Sequence, residues 1–301
     1  MGRESMIGSM QKCLTEGGYR VSVASGCFDL LARKEHSLAL KVLLNVDSFT
    51  HSEANDLKAI SYFLDTWPFL VGERASRYEL EESVVYERFG IAAMSPVTFT
   101  RFVEGVMPGV KSRRGGFSVR ADGRAFRNAL ETTGMSVSGL AASSGIAEKT
   151  IYKCANGGSI DVGTRDGIEK AVRVPVSGDL SIERFNGFLQ REPRSSFKKS
   201  LSAHLERLGF MFSFLSRSPF NLVMKERESI VSVAGNDKKR LLPHACMLEE
   251  LERGFGLSPV FITAHGHDKS MEGIPTISLR EVGSMRSSGE FMEIMDGRQG
   301  K

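Results

Sequence analysis

Apolar positions along the chain fall into one arrangement that occurs twice and a second that occurs once. Residues 3–14 keep a helical spacing that stops at Gly17-Gly18. Residues 19–23, 27–33 and 37–44 then read as three strands, the last two separated by the polar turn Lys34-Glu35-His36. Residues 53–64 return to the helical period, with Leu57, Ile60 and Leu64 on one face. Residues 68–71 are a short apolar run of the kind buried within a sheet. Residues 84–86 and 91–94 form a last strand region, and Ser95-Pro96 opens a helix through residue 102. This order predicts a compact α/β domain over residues 1–105.

The order returns after residue 195. Leu14, Gly18-Tyr19, Leu57, Ile60, Leu64 and Pro68 correspond to Leu205, Gly209-Phe210, Leu248, Leu251, Phe255 and Pro259 at an offset of 191. Phe28-Asp29-Leu30 corresponds to Phe220-Asn221-Leu222 at 192, and Gly90-Ile91 to Gly273-Ile274 at 183. Element order, glycines and proline recur together, which predicts a second α/β domain over residues 195–285.

Residues 136–157, SVSGLAASSGIAEKTIYKCANG, carry the other pattern. Ser136 is placed to cap a helix through its hydroxyl, and Val137, Leu140 and Ala141 give that helix one apolar face. Gly145 turns the chain, and Ile146, Ile151 and Cys154 form the apolar side of a second helix. Glu148, Lys149, Tyr152 and Lys153 are left on the outside, a basic, hydrogen-bonding face that a major groove accepts. The bland reading is a helical hairpin with a charged outer face. Residues 124–131 predict a preceding helix, with Phe126, Ala129 and Leu130 packed on the pair and Arg124 and Arg127 free for phosphate. A helix over 162–172 ends before Pro175, so the helical domain spans 115–175.

The remaining stretches are polar. Residues 105–114, with Pro108, Gly109, Lys111, Arg113 and Arg114, read as a linker that either follows a DNA backbone or is simply solvated. A short strand is expected at 117–119, a helical stretch at 182–189, and a polar tail at 286–301 whose last few residues are mobile.

Composition narrows the functional classes. A chain of 301 residues, 41% hydrophobic and 25% charged, is globular and long enough for several domains. No run approaches the roughly 18 apolar residues that span a membrane, and no secretory signal is visible, so a cytoplasmic protein is expected. Cys13, Cys27, Cys154 and Cys246 lack metal spacing and read as reduced. The net charge of +4 is uneven: residues 111–173 hold eleven Lys/Arg against six Asp/Glu, and the rest of the chain is close to neutral. The positive charge lies where phosphate binding needs it. His265-Gly266-His267-Asp268 crowds three potential ligands into four residues and reads as a polar loop. Phosphate-loop, dinucleotide and nucleophile-elbow signatures are missing, and neither cofactor nor metal is expected.

The spacing Leu140-Ala141, Gly145-Ile146, Thr150-Ile151, Asn156-Gly157 resembles the helix-turn-helix of the lambda-repressor-like, or XRE, family. That resemblance implies base reading by Ala147, Glu148, Lys149 and Lys153 and a phosphate contact at Asn156. Tyr152, Ser136, Arg124 and Arg127 complete the expected DNA-facing set. Val137 and Ala155 depart from the family pattern, which usually has a polar residue and a Glu there.

Each α/β copy resembles the core of the restriction-endonuclease-like PD-(D/E)xK fold, whose two acids and lysine hold a metal and activate water. Asp29 and Lys41 stand at suitable places, but Ala39 replaces the second acid. The other copy has Asn221, Val231 and Val233 at the three points. The resemblance therefore implies non-catalytic scaffolds, with Glu16 the one substitute acid considered.

Domain order, with Arg114-Gly115-Gly116-Phe117 and Cys27-Phe28-Asp29-Leu30, is similar to a group of archaeal proteins regarded as HTH-type transcriptional regulators. The fold class expected is α/β (α+β): two restriction-endonuclease-like domains flanking an all-α lambda-repressor-like domain. The function expected is sequence-specific binding of double-stranded DNA by a non-enzymatic regulator, a homodimer on a pseudo-palindrome, with the α/β copies pairing either between chains or within one. A metal-dependent nuclease targeted by the helix-turn-helix and a regulator sensing a small-molecule effector are the alternatives.

Overall fold

A computed structural model of the protein describes residues 2–113, 116–178, 195–235, 238–266 and 269–299, together with Phe185, Gly187, Phe188, Gln190, Glu192 and Pro193. The chain folds into two compact units. One comprises Met1–Val42, Ser48–Phe69 and Arg184–Lys301, the other Leu43–Asp47 and Leu70–Glu183. Residues 70–105, read from sequence as the end of the first α/β domain, thus belong to the same unit as the helical segment.

Helix α1 (Arg3–Glu16) buries Met6, Met10 and Leu14, one residue per turn on a single face. Strands β1 (Arg20–Val23), β2 (Leu30–Arg33) and β3 (Ser37–Asn45) form an antiparallel meander, with Leu31 opposite Ala39. The second strand is shorter than its alternation predicts. Cys27, Phe28 and Asp29 are buried, but the Ala24 amide donates to the Asp29 carbonyl (2.9 Å) across Gly26, whose φ of +150° favours glycine. Helix α2 (His51–Leu64) starts with a capping box between Thr50 and Glu53. Strand β4 (Thr66–Ala75) then completes the order β1-β2-β3-β4.

The second unit continues with β5 (Tyr78–Glu79), β6 (Val84–Arg88), β7 (Ile91–Met94) and α3 (Pro96–Val103), whose first turn carries the expected proline and a Ser95 cap. The stretch read as a linker is partly strand. Strand β8 (Val110–Arg113) pairs in parallel with β6 and antiparallel with β9 (Gly116–Ala121), because neighbours on both sides satisfy its backbone although Lys111 and Ser112 are polar. Helices α4 (Gly123–Thr133), α5 (Val137–Ser144), α6 (Glu148–Ala155) and α7 (Val162–Val172) follow. The helical segment also contains sheet: β10 (Ser159–Asp161) and β11 (Ser177–Gly178) both pair with β9.

Most of the expected helix at 182–189 lies outside the described residues. Beyond it the second copy begins with α8 (Ser196–Arg207), and β12 (Met211–Phe214), β13 (Leu222–Lys225) and β14 (Ser229–Gly235) repeat the meander. Val223 faces Val231 as Leu31 faces Ala39, so the repeat holds in register at an offset of 192. Helix α9 (Lys238–Leu241) and α10 (Ala245–Phe255) lead to β15 (Ser258–Thr263), parallel to β14. Strand β16 (Ser270–Met271) and β17 (Ile274–Ser278) close the sheet, followed by α11 (Leu279–Ser284). The tail read as polar contains helix α12 (Ser288–Arg298), and its last two residues lie outside the described residues. Phe291 and Met295 bury one side of it, and Arg298 bonds Glu281 (2.5 Å).

The two copies pair within one chain. Helix α10 packs on β1 and β2 of the first copy, and α2 packs on β13 of the second. Ser229 donates to the Phe63 carbonyl (2.5 Å) and Arg33 to the Phe255 carbonyl, so the C-terminal end of each helix is held by a side chain of the other copy. The buried Asp56 carboxylate of α2 accepts from the amides of Ser216 (2.8 Å) and Arg217 (2.6 Å).

Candidate nucleic-acid interface

Each turn of the helical segment is fixed by a local device. Asp122 caps α4, its carboxylate accepting from the amides of Arg124 (3.0 Å) and Ala125 (2.9 Å). Ser136 caps α5 through the Gly139 amide (3.0 Å), and Gly145, at φ +70°, ends it in the left-handed conformation as the sequence predicts. After α6 the Gly158 amide returns to the Lys153 carbonyl (2.8 Å) and the Gly157 amide to Cys154 (2.9 Å). This paired closure requires the positive φ that Gly157 supplies (+71°).

Beneath these turns lies one core of Val119, Ala121, Phe126, Ala129, Leu140, Ile151, Cys154, Ile160, Ile168, Val172 and Val176. Helix α6 contributes Ile151 and Cys154 to it. Burial, and then the Glu169 carboxylate, push the Cys154 thiol up to about 11, so it sits in the core as a neutral group.

The opposite face of α6 is open. Glu148, Lys149, Tyr152 and Lys153 are exposed, as is Asn156 just after the helix. Lys149 and Lys153 stand one turn apart, and neither they nor Arg124 holds an ion pair among the described residues. Two like charges at this spacing oppose helix formation slightly, and a polyanion beside them reverses the sign. Tyr152 keeps 54% of its surface exposed, a large amphipathic ring on the same face.

The remaining expected contacts divide by role. Ala147 stands at the N-cap of α6 without a capping side chain. Ser136 spends its oxygen on the α5 cap and keeps its hydroxyl exposed. Arg127, expected at phosphate, donates to the Ala155 carbonyl, where it holds the end of α6 against α4. Gly123 makes the same junction possible: a Cβ there would lie 2.4 Å from the Ala155 oxygen and 2.7 Å from the Gly157 nitrogen. Sequence reading missed Gly123, whose only signal was a glycine directly after a capping Asp. Lys111, considered for the DNA backbone, is ion-paired to Glu87 (2.8 Å).

The nuclease-like position reads differently. Asp29 is 1% exposed and its oxygens accept from Arg3 (2.6 Å), Lys41 (3.4 Å) and the Val42 amide (2.8 Å). Lys41 is also buried and donates to the Gly26 carbonyl. In the second copy Asn221 uses its amide oxygen for the Ala234 N–H (2.8 Å) and its amide nitrogen for the Ala234 carbonyl (2.9 Å). Residues 42 and 234 are again 192 apart, so position 29/221 performs the same backbone stitch in both copies. A divalent metal does not fit this donor set, because Ala39 offers no second carboxylate and Asp29 is engaged on both oxygens. Glu16 lies exposed at the end of α1 beside Lys12 (3.8 Å). His265 is described, but His267 and Asp268 lie outside the described residues. Among the described residues no group of three or more His, Cys, Asp or Glu is placed to share a metal.

Residues 3–108 match the model of a PD-(D/E)XK superfamily domain. Over nearly its whole length the chain is similar to archaeal proteins that bear the name "Putative HTH-type transcriptional regulatory protein". One from Pyrococcus furiosus is 32% identical, covering 98% of both chains. One from Methanothermobacter thermautotrophicus is 32% identical over 99% of this chain and 97% of its own. The chain belongs to this archaeal HTH-type family. A third member, from Methanocaldococcus jannaschii, is 30% identical over 97% of this chain and 96% of its own. No solved structure matches the chain. Nor does any helix among the described residues have the length and apolarity to cross a membrane.

Proposed function

We propose that the chain is a DNA-binding regulator of transcription that reads duplex DNA with α6, in the manner of a lambda-repressor-like helix-turn-helix. The observation that carries this is the exposed face of α6. Lys149 and Lys153 stand there without an ion pair among the described residues, beside Glu148 and Tyr152, on a helix locked by its turns and core. In the major groove the lysines donate to guanine O6 and N7 and Glu148 accepts from cytosine N4. Arg124, Asn156 and the Ser136 hydroxyl reach phosphates at the edges, and Ala147 lets the helix start close to the bases. Arg127 serves by positioning α6. The names of the family members support the regulatory role.

The α/β copies act in this reading as a scaffold without catalysis. What supports it is the burial of Asp29 and Lys41 and the shared stitch at Asn221, which give position 29 a structural task in both copies. The cytoplasm is the compartment where such a regulator meets DNA.

Selection from random duplex DNA tests the proposal, with wild type and Lys149→Ala/Lys153→Ala compared in the presence and absence of Mg²⁺. Wild type enriches a motif and the DNA stays intact. Each lost base contact removes about 1–3 kcal/mol of discrimination, so the double variant loses the motif. Cleavage dependent on Mg²⁺ and abolished in Asp29→Asn would make the nuclease reading the correct one.

A further inference from the structure

We infer that this chain is its own dimer: the two α/β copies occupy each other's pairing surface, so the molecule is a monomer that presents a single reading helix to an asymmetric DNA site. The first half stands on geometry within one compact unit. The second rests on the DNA-binding reading above.

The contacts are reciprocal, as in a closed two-fold assembly. Strands β1 and β12 end their respective sheets, and an open strand edge invites pairing with another chain. The other copy touches each. Over β1, Gly254 of α10 approaches so closely that a Cβ would lie 2.1 Å from the Ser22 oxygen, and Ser22 donates to the Glu250 carbonyl (3.4 Å). Over β12, Tyr62 of α2 reaches the Met211 sulfur (3.9 Å). Residues that meet their own equivalents mark the axis: Phe28 and Phe220, 192 apart in sequence, have ring centroids 6.2 Å apart. A Cβ on Gly26 would lie 3.1 Å from the Cα of Ser218, again its equivalent at 192.

Two features favour this mixed pairing over like with like. The buried Asp56 needs the amides of Ser216 and Arg217, and its own equivalent at 191 is Met247. Were a first copy to pair with another first copy, Asp56 would face a loop one residue shorter: Ala24 matches Leu215, each amide donating to the carbonyl of Asp29 or Asn221 (2.9 and 3.0 Å), and Gly26 matches Ser218, so Ser25 alone stands where Ser216 and Arg217 supply two amides. Two second copies would put Ser218 where Gly26 is required, since a Cβ there meets the Arg217 carbonyl at 2.4 Å. Specificity thus comes from what the alternatives lose. A repressor dimer reads a palindrome because its own two-fold is repeated in the DNA. Here the two-fold is used up inside a chain that holds only one copy of α6.

The test has three arms on the full chain. Light scattering during size exclusion, across micromolar concentrations, gives the 33.1 kDa of one chain; a stable species of twice that mass overturns the inference. In a Cys13→Ser/Cys246→Ser background, Ser22→Cys/Gly254→Cys places Cβ atoms 3.4 Å apart, close to the separation a disulfide needs. Oxidation yields a cross-linked monomer on a non-reducing gel, whereas a covalent dimer shows the copies pairing between chains and sinks the idea. If the variant does not fold, the wild-type mass decides alone. Finally, the motif selected from random duplex lacks two-fold symmetry and the complex carries one chain per duplex; a palindrome, or two chains, overturns the asymmetric site. Absence of any motif counts against the DNA-binding reading and leaves the pairing to be decided by mass and cross-link.

Discussion

Asp29 and Asn221 do the same mechanical work with different charge. Both accept the amide of the residue thirteen positions on, but among the described residues only Asp29 has cations beside it, Arg3 and Lys41, and position 233 is Val. Asn221→Asp therefore buries an uncompensated carboxylate and should cost about 3 kcal/mol, read as a lower denaturant midpoint. Asp29→Asn strands Lys41 to a similar degree, and adding Lys41→Val recovers most of the loss. If the double variant is no more stable than the single one, the charge pairing is not what holds this corner. Glu281 gives a pH-dependent case. Burial alone would raise its pKa, but hydrogen bonds from Arg298 and Ser278 outweigh it and bring it down to about 2, from 4.5. A depressed folded-state pKa stabilises above the unfolded value and is lost as pH falls through the folded one. The melting-temperature gap between wild type and Glu281→Gln should be full at pH 7 and close between about pH 4.5 and 2. Sequence disclosed Asp29 but not Arg3, and Asp56 not at all, since its partners lie 160 and 161 residues away.

Among elements, those with strong local signals were legible. Helix α7 lies where the sequence placed it, and the α5 turn falls at Gly145. Strand β8 and helix α12 were not, because each owes its state to tertiary partners: β6 and β9 for the strand, the Phe291 and Met295 side and Arg298 for the helix. The junction of α4 with α6 is of this kind too. Gly123→Ala forces a Cβ into the Ala155 carbonyl and must shift α6. Motif binding should fall more than tenfold while circular dichroism at 222 nm changes little; undiminished binding would mean that the junction does not set the pose of α6. Arg127→Ala, which frees one helix-end carbonyl, should cost about 1 kcal/mol of stability.

At the scale of the molecule, stability is shared between copies that are far apart in sequence. The repeat was legible because apolar spacing, glycines and proline recur at one offset. Its internal pairing was not, because periodicity shows which face is apolar without naming what covers it. A chain truncated after residue 194 leaves β1, Phe28 and Asp56 without cover. It should bind hydrophobic dye and aggregate, and a soluble, cooperatively melting fragment would refute the mutual dependence. Joining both halves in one polypeptide also alters how they can change over generations. In a true homodimer every substitution at the axis arrives twice, facing itself. Here it arrives once, so Gly26 can remain small while Ser218 grows, and Asn221 can lose the charge that Asp29 keeps.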